Sequence, residues 1–127
     1  MDPYKHLVTE HEEMHQIISE RSGGLCELCG SSYMVQRHHI VGGRGKRKYH
    51  ENQYSMIDLC HHHHYGKRGV HESDGSLDRK LKIRLQEKYK ELGFNEEQIR
   101  ELMGGKITVE RESKGIGPRG SKSIFRW

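Results

Sequence analysis

Cys26-Glu27-Leu28-Cys29-Gly30 and, some thirty residues further on, Leu59-Cys60-His61-His62-His63-His64 decide how this chain folds. The first stretch is a C-x-x-C knuckle, in which two thiolates can grip one tetrahedral ion while the following glycine relieves the turn. The second supplies C-x-x-H, and the two halves together offer the four ligands of a closed zinc site. Histidine is consecutive from 61 to 64, so spacing chooses the fourth ligand, and it favours His63. All three cysteines of the chain fall in these knuckles, amid polar sequence, which reduced cysteines of a small core would not explain. A thioredoxin-like redox pair is also disfavoured, because a helix precedes the pair, a short polar strand follows it, and the βαβ setting is missing.

Composition explains why a metal would be needed. The chain has 127 residues, enough for one domain with arms, and only 31% of them are hydrophobic; the mean hydropathy is -0.98. A chain so poor in apolar surface commonly adds disulfides, a metal or a second copy. Three cysteines cannot pair fully, whereas eleven histidines stand beside them, spread from His6 to His71 and not as a terminal tag. No run of about 18 apolar residues and no signal-type apolar segment is present, so a soluble protein of a reducing compartment is expected, with no membrane partner.

Charge and helical periodicity divide the remainder. Residues 1–20 carry one basic and five acidic side chains, 21–71 eight and three, 72–103 seven and eight, and 104–127 six and two. Positive charge therefore sits in the middle and at the end of the chain. Leu7, His11, Met14, Ile17 and Ile18 predict an N-terminal helix over 4–20, stopped by Gly23-Gly24, with His6, His11 and His15 as ordinary helix residues. Leu77, Leu81, Leu85, Tyr89 and Leu92 form the apolar stripe of a helix over 76–92, ended by Gly93 with Phe94 packing back. Asn95-Glu96-Glu97-Gln98 reads as a capping box for a short helix carrying Ile99, Leu102 and Met103. The expected division is an N-terminal helix (1–20), a metal-clasped core (21–75), covering helices (76–103) and a basic, mobile tail (104–127) whose Ile124-Phe125-Arg126-Trp127 could dock on a neighbour.

Zinc leaves histidines over. Tyr33-Met34-Val35-Gln36-Arg37-His38-His39-Ile40-Val41 predicts a strand running into Gly42-Gly43, and the chain after Cys60 should turn helical. The clasp would then hold a strand end against a helix start, with His38, His39 and His64 converging on a second, open metal site. The order Cys26-x-x-Cys29, His38-His39-Ile40, Leu59-Cys60-x-x-His63-His64 resembles the HNH endonucleases (ββα-metal or His-Me nucleases), in the zinc-knuckle subset and most like small phage and prophage members. The resemblance covers residues 21 to about 71. It implies a fold of the α+β class, a zinc-clasped ββα-metal (HNH) core with flanking helices, and a metal-dependent endonuclease that hydrolyses DNA phosphodiester bonds with low sequence specificity.

Residue by residue, the resemblance makes His39 the general base, His38 and His64 the ligands of a catalytic divalent ion, and Cys26, Cys29, Cys60 and His63 the structural zinc clasp. The middle position of the motif, Asn in relatives, is Ser55 here; Asn52 could take over if the loop is rearranged. An open, hydrated ion suits Mg²⁺, whereas two imidazoles favour softer ions, so Mn²⁺, Ni²⁺ or Co²⁺ could serve as well. Arg44, Lys46, Arg47 and Lys48 beside the site, with Arg37, Lys67 and Arg68, would supply phosphate contacts. His50 and Tyr54 could line the site, and Tyr49 could stack on a base; His71 reads as a further metal neighbour, a substrate contact or a plain surface histidine. The family setting implies a bacterial cytoplasm, a phage origin, and terminase or recombination proteins as partners. The rival expectations are a zinc-stabilised nucleic-acid-binding module without turnover and a zinc-dependent protein-interaction module.

Overall fold

The computed structural model describes residues 2–41, 49, 51–66, 69–70 and 75–109. A 3-10 turn (Pro3–His6) leads to helix α1 (His11–Ser22), strands β1 (Gln36–His39) and β2 (Met56–Leu59), a five-residue helix α2 (His61–Tyr65), and helices α3 (Ser76–Leu92) and α4 (Glu96–Leu102). The fold is α+β, with one two-stranded antiparallel sheet among the described residues. β1 and β2 pair so that Gln36 faces Leu59, Arg37 faces Asp58, His38 faces Ile57 and His39 faces Met56.

Opposed residues project on the same side of an antiparallel pair and successive ones alternate. One face therefore carries Arg37, His39, Met56 and Asp58, and the other Gln36, His38, Ile57 and Leu59. On the first face α1 places Met14 and Ile18 against Met56. On the second, Ile57 and Leu59 enter the main core with Leu81, Leu85 and Tyr89 of α3 and Ile99 and Leu102 of α4. β2 is thus buried at all four positions, Asp58 included. Asp58 is compensated there by a two-pronged bond from Arg37, Nε at 2.7 Å and Nη2 at 2.8 Å, and by the Ser22 hydroxyl at 2.6 Å.

The N-terminal segment departs from the expected helix over 4–20. Gln53, buried against it, accepts from the Val8 N–H (2.8 Å) and donates to the His6 carbonyl (2.9 Å), taking backbone groups that a helix would use. α1 therefore starts afresh at His11, where the Glu10 carboxylate accepts from the Glu13 N–H. The strand expected over 33–41 pairs only over 36–39. Tyr33-Met34 form a turn, and just beyond β1 the Ile40 N–H donates to the Ser55 carbonyl (2.8 Å) in the same register.

The other helices match their periodicity. α3 spans Ser76–Leu92 and ends at Gly93 (φ 107°), with the Phe94 ring edge-on to Tyr89 at 5.7 Å. α4 has the capping box between Asn95 and Gln98, and Ile99, Leu102 and Met103 are buried. The segment expected to be a tail from 104 begins attached: Gln86 donates to the Thr108 carbonyl (2.9 Å) and accepts from its N–H (2.8 Å), while Ile107 packs on the core. The remainder of the tail, from 110, lies outside the described residues. No helix among the described residues is long and apolar enough to cross a membrane.

Candidate metal centre and the adjoining histidines

The two knuckles meet. The Cys26 sulfur and the Cys60 sulfur each lie 3.5 Å from Nδ1 of His63, and the Cys29 and Cys60 sulfurs lie 3.7 Å apart. All four ligand atoms fall within 4.8 Å of one another. A tetrahedron with zinc bonds of about 2.3 Å to sulfur and about 2.0–2.1 Å to nitrogen has S···S edges of about 3.8 Å and S···N edges of about 3.5 Å. The donor set and its spacing therefore fit zinc, and Cys26, Cys29, Cys60 and His63 form a group that could bind a metal.

Neighbouring elements hold each half. The first knuckle turns through Gly30 (φ 80°), whose N–H donates to the Cys26 carbonyl at 2.8 Å. Glu27, between the two cysteines, fastens it to β2: its N–H donates to the Asp58 carbonyl and its carboxylate accepts the Asp58 N–H, both at 2.8 Å. Arg21 of α1 clamps the same carboxylate with two bonds. The second knuckle begins at Cys60, the N-cap of α2, and the helix brings His63 back over it.

The thiol acidities show why the cluster suits a cation. Desolvation opposes the Cys60 thiolate, but the backbone N–H groups of His63 and His62 and the neighbouring thiols outweigh it, and its pKa falls. Cys29, the outermost of the three, is pushed up to about 11, first by desolvation and then by Cys26 and Cys60. Thiolates packed this closely repel one another, so ionising all three calls for a cation among them. Desolvation, then His62, lowers the pKa of His63, which keeps the imidazole neutral and able to ligate.

Beside this centre, α2 sets His64 against β1. The His38 and His64 rings lie 5.2 Å apart at 68°. His64 Nδ1 is 3.0 Å from Gln36 Oε1, an acceptor, so Nδ1 carries the proton and the lone pair is on Nε2. Gln36 was not anticipated. Its signal was the two-residue alternation that puts it on the same strand face as His38.

His39 does not join the pair. As the last residue of β1 it projects from the α1 face, where its Nε2 lies 3.1 Å from Glu51 Oε2. With the Glu51 carboxylate as acceptor, Nε2 is the donor of this bond. The expected convergence of three histidines is thus a pair on one face and a single base candidate on the other, because strand alternation separates neighbours. Glu51 was also missed. Its signal was a lone acid following the basic run 44–48.

The residue that pins the β1–β2 loop is Asn52. Fully buried, it donates through Nδ2 to the Tyr49 carbonyl and to Tyr89 Oη (both 2.9 Å) and accepts from the Tyr54 N–H (2.8 Å). Ser55, at the expected middle position, is buried and exchanges bonds only with the Asn52 backbone through its hydroxyl. Arg37, expected to contact phosphate, points inward to Asp58, Ser19 and His15. Tyr49, expected to stack on a base, packs 4.6 Å from the Tyr4 ring. Arg44, Lys46, Arg47, Lys48, Lys67 and Arg68, with His50 and His71, lie outside the described residues.

A second metal-like spacing carries no site. His11-Glu12-Glu13-Met14-His15 has the H-E-x-x-H pattern, and its two rings lie 4.4 Å apart. Arg37, however, sits 3.0 Å from His15 Nδ1, so that nitrogen accepts and the proton occupies the other one. Among the described residues, only the Cys26-Cys29-Cys60-His63 group brings three or more such ligands together. Comparison with known proteins returns no matching family model, no matching curated relative and no matching solved structure.

Proposed function

We propose that this protein is a metal-dependent endonuclease of the HNH type, hydrolysing DNA phosphodiester bonds beside a structural zinc clasp. One observation carries the reading: an antiparallel strand pair and the helix after it, stapled by a Cys3His group, set His38 against His64 with the His64 lone pair on Nε2. A metal clasp needs neither of those histidines, nor Gln36 to select a tautomer.

The roles follow from geometry. His38 and His64 would hold a divalent cation, with His64 kept in the ligating tautomer by Gln36; when bound, that ion supplies positive charge against the leaving oxygen. His39 Nδ1 takes a proton from the attacking water, and Glu51 keeps the ring's other proton on Nε2. The water oxygen bonds to phosphorus as the P–O bond to the departing 3′ oxygen breaks, and that oxygen is protonated from solvent. In-line displacement requires attacker and leaving group on opposite sides of phosphorus.

A binding module without turnover is the second reading, favoured by the separation of His39 from the His38–His64 pair. Plasmid nicking by zinc-loaded protein, with Mg²⁺ or Mn²⁺ added or withheld, decides between them. Metal-dependent nicking that His39→Ala lowers by roughly 100-fold or more is expected, in line with loss of a general base. Equal cutting by wild type and His39→Ala would remove the catalytic assignment, and DNA binding without any cutting would leave the binding module.

A further inference from the structure

The outer side of α2 carries an apolar surface that neither the clasp nor the histidine pair uses. Tyr33 is 52% exposed, Met34 58% and Tyr65 57%. These residues are connected: the Tyr33 ring lies 5.8 Å from His61 and 5.9 Å from His62, His61 lies 5.7 Å from Tyr65, and Tyr65 lies 4.2 Å from His64. A row of rings thus runs from the turn before β1, across α2, to the His38–His64 pair.

The fold holds this row in place. The His61 N–H donates to the Tyr33 carbonyl at 3.1 Å, joining the turn to the helix. Met34 sits at φ 48°, where a non-glycine residue is uncommon and is kept by its surroundings. The rings are tyrosines and histidines, with flat π faces and polar rims, the chemistry that meets a nucleobase. No acidic residue occurs at 33–36 or 60–66; Arg21 and Arg37 are taken by Glu27 and Asp58, and the sequence of 21–71 carries six further basic side chains against one further acid, a balance complementary to a phosphodiester backbone.

We propose that Tyr33, His61, His62 and Tyr65 form a shelf on which one or two unpaired nucleobases stack, so that the preferred substrate is DNA with an unpaired strand, such as an overhang, flap or gap, and not uninterrupted duplex. Paired bases have both faces occupied by their neighbours, whereas an unpaired base has a face to offer. The proposal rests on the nuclease reading only for the position of the scissile phosphate; the stacking surface itself is independent of it.

The test is equilibrium binding of the full zinc-loaded chain, without Mg²⁺ or Mn²⁺, to labelled oligothymidine and to blunt duplex of equal length, read by fluorescence anisotropy. Tyr33→Ala and Tyr65→Ala should each weaken single-strand binding about 10-fold while duplex binding changes less than about twofold. Zinc content should stay at the wild-type value, which certifies the fold, and Tyr65→Phe should bind as wild type does. Tyr65→Leu keeps apolar area and removes the ring: weakened binding supports stacking, and wild-type binding overturns it in favour of a general apolar contact, as a protein partner would use. Unchanged single-strand binding in both alanine variants, or equal losses on duplex, also overturns the shelf. Cleavage assays fail separately: a wild type that cuts nothing yet loses single-strand binding in Tyr65→Ala keeps the shelf and sinks the nuclease reading.

Discussion

Asn52 has no charge and no metal-ligating atom, yet its amide satisfies three groups of the β1–β2 loop and α3 at once: the Tyr49 carbonyl, the Tyr89 hydroxyl and the Tyr54 N–H. Replacing it by alanine strands those partners in a buried setting, at about 1–3 kcal/mol for each group left without a bond. Asn52→Ala is expected to lower chemical-denaturation stability by at least about 3 kcal/mol, and Ser55→Ala by about 1 kcal/mol. Equal effects would mean that the loop is pinned at Ser55 after all. Asp58 makes a pH-dependent contribution. Desolvation opposes its ionised form, but Arg37 and Ser22 outweigh that, and its pKa lies below the ordinary value. A depressed carboxylate pKa stabilises the fold above the unfolded value, about 3.9, and the contribution fades as pH drops through the folded one. Asp58→Asn should therefore cost about 3 kcal/mol at neutral pH, the penalty of breaking a buried pair, and its deficit against wild type should shrink below about pH 4. A deficit that stays constant down to acid would show that shape, not charge, is what Asp58 supplies.

At the scale of elements, α2 depends most on its surroundings. Five residues are too few for a helix to persist by local hydrogen bonding alone, so His61–Tyr65 is held by its surroundings: the Tyr33 carbonyl on the His61 N–H, Gln36 on His64, the knuckle residues Cys60 and His63, and the return of the chain through Gly66. The Gly66 N–H donates to the His62 carbonyl at 2.9 Å, and a Cβ at this glycine would lie 2.5 Å from that same oxygen. Gly66→Ala should displace the end of α2 and move the His64 ring away from Gln36, seen as shifted His64 resonances in NMR, with Gly30→Ala at the knuckle as the comparison. Removing the metal should act on the same helix. Chelation, or Cys29→Ser, is expected to abolish one tightly held zinc per chain and to melt α2 first, while α3 and α4, which lie elsewhere in the core, retain amide protection the longest. Simultaneous loss of protection throughout would instead show that the clasp governs the whole domain.

For the molecule as a whole, the apolar residues among those described form two clusters divided by the sheet, the smaller made of Met14, Ile18 and Met56 with Val8 beside it. The end of the described chain belongs to the larger one, through Ile107 and the paired bonds between Gln86 and Thr108. A chain ending at Val109 should accordingly melt above one ending at Met103, the difference being about 1–3 kcal/mol from lost apolar burial and two hydrogen bonds; identical melting would leave residues 104–109 without a part in stability. α3, α4 with its capping box, and the Cys3His group were legible because each rests on short-range spacing: apolar residues three or four apart, Asn95 and Gln98 three apart, ligands likewise three apart within each knuckle. What lay beyond the sequence depends on partners distant along the chain. Gln53 breaks the N-terminal helix from 45 residues away, Asp58 captures Arg37 from 21 away, and Tyr89 meets Asn52 across 37. Among the histidines, adjacency in sequence grouped His38 with His39, whereas strand alternation turned them to opposite faces and the docking of α2 brought His64 to only one of them. Local spacing thus determined which residues could bind a metal and which segments are helical, and the packing of α1, the sheet and α2 decided which polar side chains serve the fold and which remain for chemistry, because burial and hydrogen-bond satisfaction are settled only when distant segments meet.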